Sequence, residues 1–252
     1  MKKFNNILIS TIVLLLISNT SHAEVVVLQT DSFVGLTFWV VSMGCLAATG
    51  FFFLERNSVA TGWKTPITVA GLITGIAFIH YMYVRSVYVQ TDDASIQYRY
   101  VDWLITVPMQ VIEFYLILAA VRKVPTIIFW KLLAASIIMI GGWYLGEAGH
   151  INAFGGFVIG MVGWIYILYE IYSGDAGRIA GKTGNRPLAT AFNSLRMIVT
   201  IGWAIYPLGY IFGFMTQTVD VGSLNVIYNL ADFVNKIAFG IVIWVAATAN
   251  TR

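Results

Sequence analysis

The sequence predicts an all-α protein, a seven-transmembrane-helix bundle, and three observations carry that expectation. Charged side chains are scarce, seven apolar stretches of spanning length follow one another, and basic residues collect on one side of the resulting ladder. Of 252 residues, 58% are hydrophobic, 15% aromatic and 11% charged, with a mean hydropathy of +0.78. A soluble domain devotes about 25% of its residues to charge. This composition excludes a disordered chain, which needs high charge and few apolar residues. A net charge of +3 with no Lys/Arg stripe excludes a nucleic-acid binder. The single cysteine, Cys45, excludes an intramolecular disulfide framework.

The elements follow in chain order. Lys2 and Lys3 precede a mostly apolar run over 7–18, and Ser21, His22 and Ala23 supply a small-x-small exit. That is the layout of a cleavable secretory signal peptide over residues 1–23, which leaves 24–252 as one domain with its N-terminus outside. The spans are expected over 33–54, 66–88, 98–121, 126–145, 153–172, 188–214 and 224–249. Each is long enough for a hydrocarbon core of roughly 30 Å at about 1.5 Å per residue. The alternating ten-residue strands of a membrane barrel are missing. With the N-terminus outside, the inner loops and helix ends hold Arg56, Lys64, Arg122, Lys123, Lys131, Arg178, Lys182, Arg186, Arg196 and Arg252. The outer side holds Arg85 and Arg99 alone, a positive-inside bias that agrees with the signal peptide.

Five charges fall within spans: Arg99, Asp102, Glu113, Asp232 and Lys236. At the bilayer centre each costs about 2.5–3.5 kcal/mol even on the lenient insertion scale, so they must face the bundle interior and pair. A structural ion-pair cluster is the plain alternative to an ion or proton pathway. Asp102 and Glu113 are 11 residues apart on the third span, three turns plus about 20°, so they share a face and differ in depth by roughly 16 Å. Arg99 precedes Asp102 by three and Thr106 follows by four; on the seventh span Asp232 precedes Lys236 by four. A mid-membrane lysine therefore has two acids on its outer side and a third on its inner side. Buried lysine is also the residue type that forms Schiff bases with carbonyl cofactors.

Residues 99–118 (RYVDWLITVPMQVIEFYLIL) and 228–240 (YNLADFVNKIAFG) resemble the third and seventh helices of microbial rhodopsins, most nearly of the proteorhodopsin type. Residues 202–210 (GWAIYPLGY) and 79–85 (IHYMYVR) are similar to the sixth and second helices, so the resemblance covers nearly the whole mature chain. It implies all-trans retinal in the core of the bundle, bound through Lys236 as a Schiff base. It further implies Asp102 as counterion and proton acceptor, Asp232 as second counterion, Glu113 as proton donor, Arg99 on the outward path and His80 as hydrogen-bond partner of Asp102. Trp103, Thr106, Met139, Trp164, Trp203 and Tyr206 would line the polyene, whose apolar length asks for flat apolar walls. Tyr81 and Tyr206 would donate hydrogen bonds to Asp232. Pro108 and Pro207 would interrupt the third and sixth helices.

The triplet Asp102, Thr106, Glu113 matches the proton-pumping members of the family. Chloride-pumping relatives carry a neutral residue at the first position, sodium-pumping ones carry Asn, Asp and Gln, and sensory ones often lack the third acid. Gln110 stands where proteorhodopsins carry Leu or Gln; a polar amide near the imine end favours the ground-state charge distribution, so Gln110 implies blue absorption. An interhelical hydrogen bond without spectral effect is its plain alternative. The expected function is light-driven outward proton pumping across a bacterial inner membrane, by a transporter rather than an enzyme and without a metal. A slow photosensory rhodopsin signalling to a partner is the first alternative, and a retinal-free seven-helix receptor or transporter the second. The expected partners are membrane lipid and further copies of the chain, a pentamer or hexamer with His80 and Trp39 near the protomer interface.

Overall fold

The computed structural model describes residues 32–91 and 96–251. The expected signal peptide, Asp92, Asp93 and Arg252 lie outside the described residues. Nine α-helices are labelled here: α1 (Phe33–Glu55), α2 (Lys64–Thr91), α3 (Arg99–Ala119), α4 (Ile127–Glu147), α5 (Ala153–Tyr172), α6 (Asp175–Gly181), α7 (Arg186–Thr200), α8 (Ile205–Gly209) and α9 (Val221–Ala249). Together with short 3-10 and π turns they make seven segments long and apolar enough to cross a membrane, the sixth being a composite running from α7 through α8. There is no strand among the described residues.

Neighbours in sequence pack side by side from α1 to α5, α7 leans on α5, and α9 closes the ring against α7, α1 and α2. Leu36, Leu46, Leu72, Ile79, Ile105 and Val162 point outward, while Ser42, Thr74, Gln110 and Asn229 are buried. Lipid tails are as apolar as leucine, so close packing and interhelical hydrogen bonds hold such a bundle together. The tightest seam joins α4 to α5. A Cβ on Gly156 would stand 2.6 Å from the Gly146 Cα, and one on Gly163 2.7 Å from the Ala135 carbonyl oxygen. Only glycine permits that approach.

The caps read locally. Asn152 accepts from the Phe154 and Gly155 amides at the start of α5, and Asn185 accepts from Leu188 N at the start of α7. Asp220 accepts from Ser223 N at the start of α9, 2.8 Å away. The two prolines behave differently from each other. Pro108 sits inside an unbroken α3. The sixth span breaks at Gly202–Ala204, just before Pro207, and passes through a π turn at Tyr210–Met215. Proline has no amide to bond the carbonyl four residues back. Near that break the Asn235 amide donates to the Gly202 carbonyl at 3.1 Å, so a side chain of α9 bonds the backbone of the sixth span there.

Candidate functional site

α3 and α9 face each other across the bundle and bring four of the five mid-span charges into one cluster. Lys236, 3% exposed, donates to Asp102 Oδ2 and lies 3.3 Å from Asp232 Oδ2. The spacing of four along α9 places Asp232 one turn from the amine, and α3 supplies Asp102 from the opposite wall. Asp232 is heavily hydrogen-bonded. Tyr206 donates to its Oδ1 at 2.5 Å, while Tyr81 at 2.6 Å and the Trp103 indole at 3.1 Å donate to Oδ2. A buried carboxylate needs such partners, because an unpaired buried charge is costly.

Arg99 is 1% exposed but forms no ion pair with Asp102, its expected same-face neighbour. Its Nη1 donates to the Tyr81 hydroxyl at 3.0 Å, and its Nη2 donates to the Oδ1 atoms of Asn225 and Asn229, each at 2.6 Å. Glu113 stands apart, fully buried, with neither oxygen hydrogen-bonded among the described residues. The bond expected between His80 and Asp102 is not made. His80 Nε2 and Asp102 Oδ1 are both buried without a hydrogen-bond partner, and the His80 ring meets Tyr81 edge-on with centroids 5.6 Å apart. The Lys236 ammonium engages Asp102 Oδ2, so the carboxylate is charge-paired without the imidazole.

Beside Lys236 runs a narrow slot lined by Trp103, Val107, Gln110, Ile140, Trp143, Trp203, Tyr206 and Asp232. Of the expected wall residues, Trp103, Gln110, Trp203 and Tyr206 are in it. Thr106 is fully buried one turn from Asp102, and Met139 is buried in α4; neither lines the slot. Trp164 is half-buried, and its indole donates to the Val199 carbonyl at 3.1 Å. Val107, Ile140 and Trp143 were missed, because an apolar residue on an apolar span carries no signal of its own. Asn225 and Asn229 were missed although a signal existed. Positions 225, 229, 232 and 236 fall at spacings of four, three and four, one face of α9.

These residues fit retinal. The slot offers flat aromatic walls for an apolar polyene, a buried primary amine at its end and two carboxylates to balance a cationic imine. Two buried polar atoms there, Gln110 Nε2 and Trp143 Nε1, have no hydrogen-bond partner among the described residues.

Comparison with known proteins agrees. Residues 32–250 match the family described as bacteriorhodopsin-like protein. The blue-light absorbing proteorhodopsin of Gamma-proteobacterium Hot 75m4 is 51% identical over 220 residues, covering 86% of this chain and 87% of the relative. The crystal structure of blue light-absorbing proteorhodopsin from Med12 superposes with a TM-score of 0.75 at 46% identity, covering 86% of this chain and 99% of that one. Xanthorhodopsin, described as a light-driven ion pump with dual chromophore, superposes with a TM-score of 0.75 at 25% identity over 87% of this chain and 94% of its own. A lysine set between two carboxylates at the end of an aromatic slot, on a seven-helix frame matched along nearly its whole described length, leads to one assignment: the chain belongs to the bacteriorhodopsin-like family of retinal-binding membrane proteins.

Proposed function

We propose that the protein is a blue-absorbing, light-driven outward proton pump of a bacterial inner membrane, with Asp102 as proton acceptor and Glu113 as proton donor. The observation that carries this reading is the asymmetry around Lys236: two carboxylates in contact on one side and a lone buried carboxyl further along α3. Support also comes from relatives described as proteorhodopsins and as a light-driven ion pump.

Retinal, which Lys236 would hold as a Schiff base, would supply light absorption and isomerisation. The residues of the chain do the rest. Asp102 offers Oδ2 to the Lys236 nitrogen and is positioned to take a proton there. Asp232 is kept ionised by three neutral donors and stays as the fixed counter-charge. Glu113 has no partner to support a negative charge, so it holds a proton until the amine side of α3 demands one. Eleven residues of helix separate the two acids by roughly 16 Å, giving acceptor and donor opposite sides of the lysine. Arg99 lies beyond Asp102 toward the end of α3 that the positive-inside rule places outside.

Cells expressing the protein and supplied with retinal acidify an unbuffered medium on illumination, and an uncoupler abolishes the signal; alkalinisation at neutral pH refutes the direction. Lys236→Ala removes the visible band, and its persistence after adding retinal refutes the attachment site. Gln110→Leu moves the band to longer wavelength, whereas an unmoved band refutes the colour assignment. Assembly into a pentamer or hexamer belongs to the same reading. Of the two residues expected near the protomer interface, Trp39 is 37% exposed and His80 8%, with Ile79 beside it 68% exposed.

A further inference from the structure

We propose that Asn225 and Asn229 are positioning residues that hold the Arg99 guanidinium on neutral amide oxygens, off the two carboxylates, and so set the positive field that Asp102 experiences. The proposal rests on the pump reading above, because it concerns the resting charge balance of that site.

Arg99 is buried and always charged, and among the described residues no carboxylate lies within ion-pair distance of it. Its charge is solvated instead by oxygen dipoles. Nη2 receives three acceptors, the side-chain oxygens of Asn225 and Asn229 at 2.6 Å and the Asn225 carbonyl at 3.3 Å. The rings of Phe38, Tyr81 and Tyr228 stand 5.5–5.7 Å from the guanidinium carbon. Dipoles serve Nη1 and Nη2 without cancelling the charge, as a carboxylate would, while Nε is buried with no hydrogen-bond partner among the described residues.

Both amides are themselves oriented. Asn229 Nδ2 donates to Thr37 Oγ1 at 2.8 Å, and the Thr37 hydroxyl donates to the Val34 carbonyl at 2.7 Å, tying α9 to α1. Asn225 Nδ2 donates to the Val221 carbonyl at 3.0 Å. With each nitrogen engaged elsewhere, each oxygen is turned toward the guanidinium. The field has a short route to the site. The Tyr81 hydroxyl accepts from Arg99 and donates to Asp232, which contacts Lys236.

Several other groups share this space, and the test must leave them unchanged. Asp102 is faced by Lys236 and Asp232 from α9, by Thr106 on its own helix, by Cys45 from α1 and by Tyr81 from α2, while His80 from α2 and Tyr206 from α8 face Asp232 and Arg99. Glu147 of α4 and Tyr228 of α9 face Arg99.

The experiment titrates the visible band of the retinal-loaded full chain against pH, for the native protein and for Asn229→Asp, Asn225→Asp and Asn229→Ala. Asparagine to aspartate keeps the shape and places a negative charge on the guanidinium. Less positive field then reaches Asp102, its protonated form is favoured, and the midpoint moves to higher pH by roughly one unit. Asn229→Ala removes one acceptor and lets the guanidinium move toward the acids, so its midpoint moves to lower pH. Mere loosening of the bundle would move all variants the same way. Aspartate variants that bind retinal and titrate within about 0.3 unit of the native protein overturn the proposal, as does a common direction for aspartate and alanine. A native protein without a visible band or without a titration overturns the underlying pump reading instead. Two aspartate variants at different depths keep the test decisive if one does not fold.

Discussion

Replacing Tyr206 by phenylalanine removes one oxygen and tests how Asp232 is held. Among the described residues that hydroxyl is the single donor to Asp232 Oδ1, at 2.5 Å, whereas Oδ2 has Tyr81 at 2.6 Å, Trp103 at 3.1 Å and Lys236 at 3.3 Å. Tyr206→Phe therefore strips one carboxylate oxygen and leaves the other intact. A hydrogen bond to a charged group contributes about 1.5–3 kcal/mol, and a neutral one about 0.5–1.5 kcal/mol. With Asp232→Asn as background the acceptor is uncharged, so the cost of Tyr206→Phe falls to the neutral range. The coupling in the four-protein cycle is then about 1–2 kcal/mol. Reversible unfolding in mixed detergent micelles, followed through the visible band, measures all four stabilities. Additivity within about 0.5 kcal/mol refutes the argument that the phenol is bonded to a charge. Tyr81→Phe supplies an internal scale. Its hydroxyl bridges Arg99 at 3.0 Å and Asp232, so two charge-assisted bonds are lost and the cost exceeds that of Tyr206→Phe.

Glu113→Gln keeps the shape of a fully buried, unpartnered carboxyl and removes its proton, so retinal binding and colour persist while recovery after a flash slows by about 10²–10⁴, the usual worth of a positioned acid; recovery at the native rate removes Glu113 from the pathway. Gly156→Ala drives a methyl to 2.6 Å from the Gly146 Cα and 2.8 Å from the Gly142 oxygen, backbone that cannot turn aside, and costs about 1–3 kcal/mol in the same unfolding assay. Gly155→Ala meets nothing within 4 Å and is the control; equal stabilities for the two variants refute the close-packed seam. Asp220→Ala removes the cap of α9. The Ser223 hydroxyl and amide hold the Asp220 carboxyl below the usual carboxylate range, so its contribution is present above the unfolded value of about 4 and fades as pH falls through the folded one. Thermal unfolding at pH 7 and pH 3 checks this, and a difference from the native protein that grows on acidification contradicts it.

The sixth span shows where local pattern stops being informative. Its apolar run is continuous from 188 to 214, so hydropathy predicts one helix, yet the chain tightens into a 3-10 turn at Gly202–Ala204 and widens into a π turn at Tyr210–Met215. At the break the Gly202 carbonyl accepts from Asn235, a side chain 33 residues away on another helix. Pro108 looked equivalent to Pro207 in the sequence, yet α3 continues through it. Arg99 teaches a similar lesson. Its spacing from Asp102 suggested a pair along α3, but a guanidinium reaches across the bundle and found Asn225 and Asn229 instead.

From the sequence alone came the seven spans, the shared face of Asp102 and Glu113, the turn joining Asp232 to Lys236 and the resemblance to microbial rhodopsins. All of these are set by helical period and by what a bilayer tolerates, both local properties of a chain. Only the tertiary structure decided which oxygen Lys236 meets, that Trp103 as well as the two tyrosines bonds Asp232, that His80 leaves Asp102 alone and that neutral amides hold Arg99. Those are choices among competing partners on different helices. They depend on distances of a few tenths of an ångström that no spacing along one helix contains.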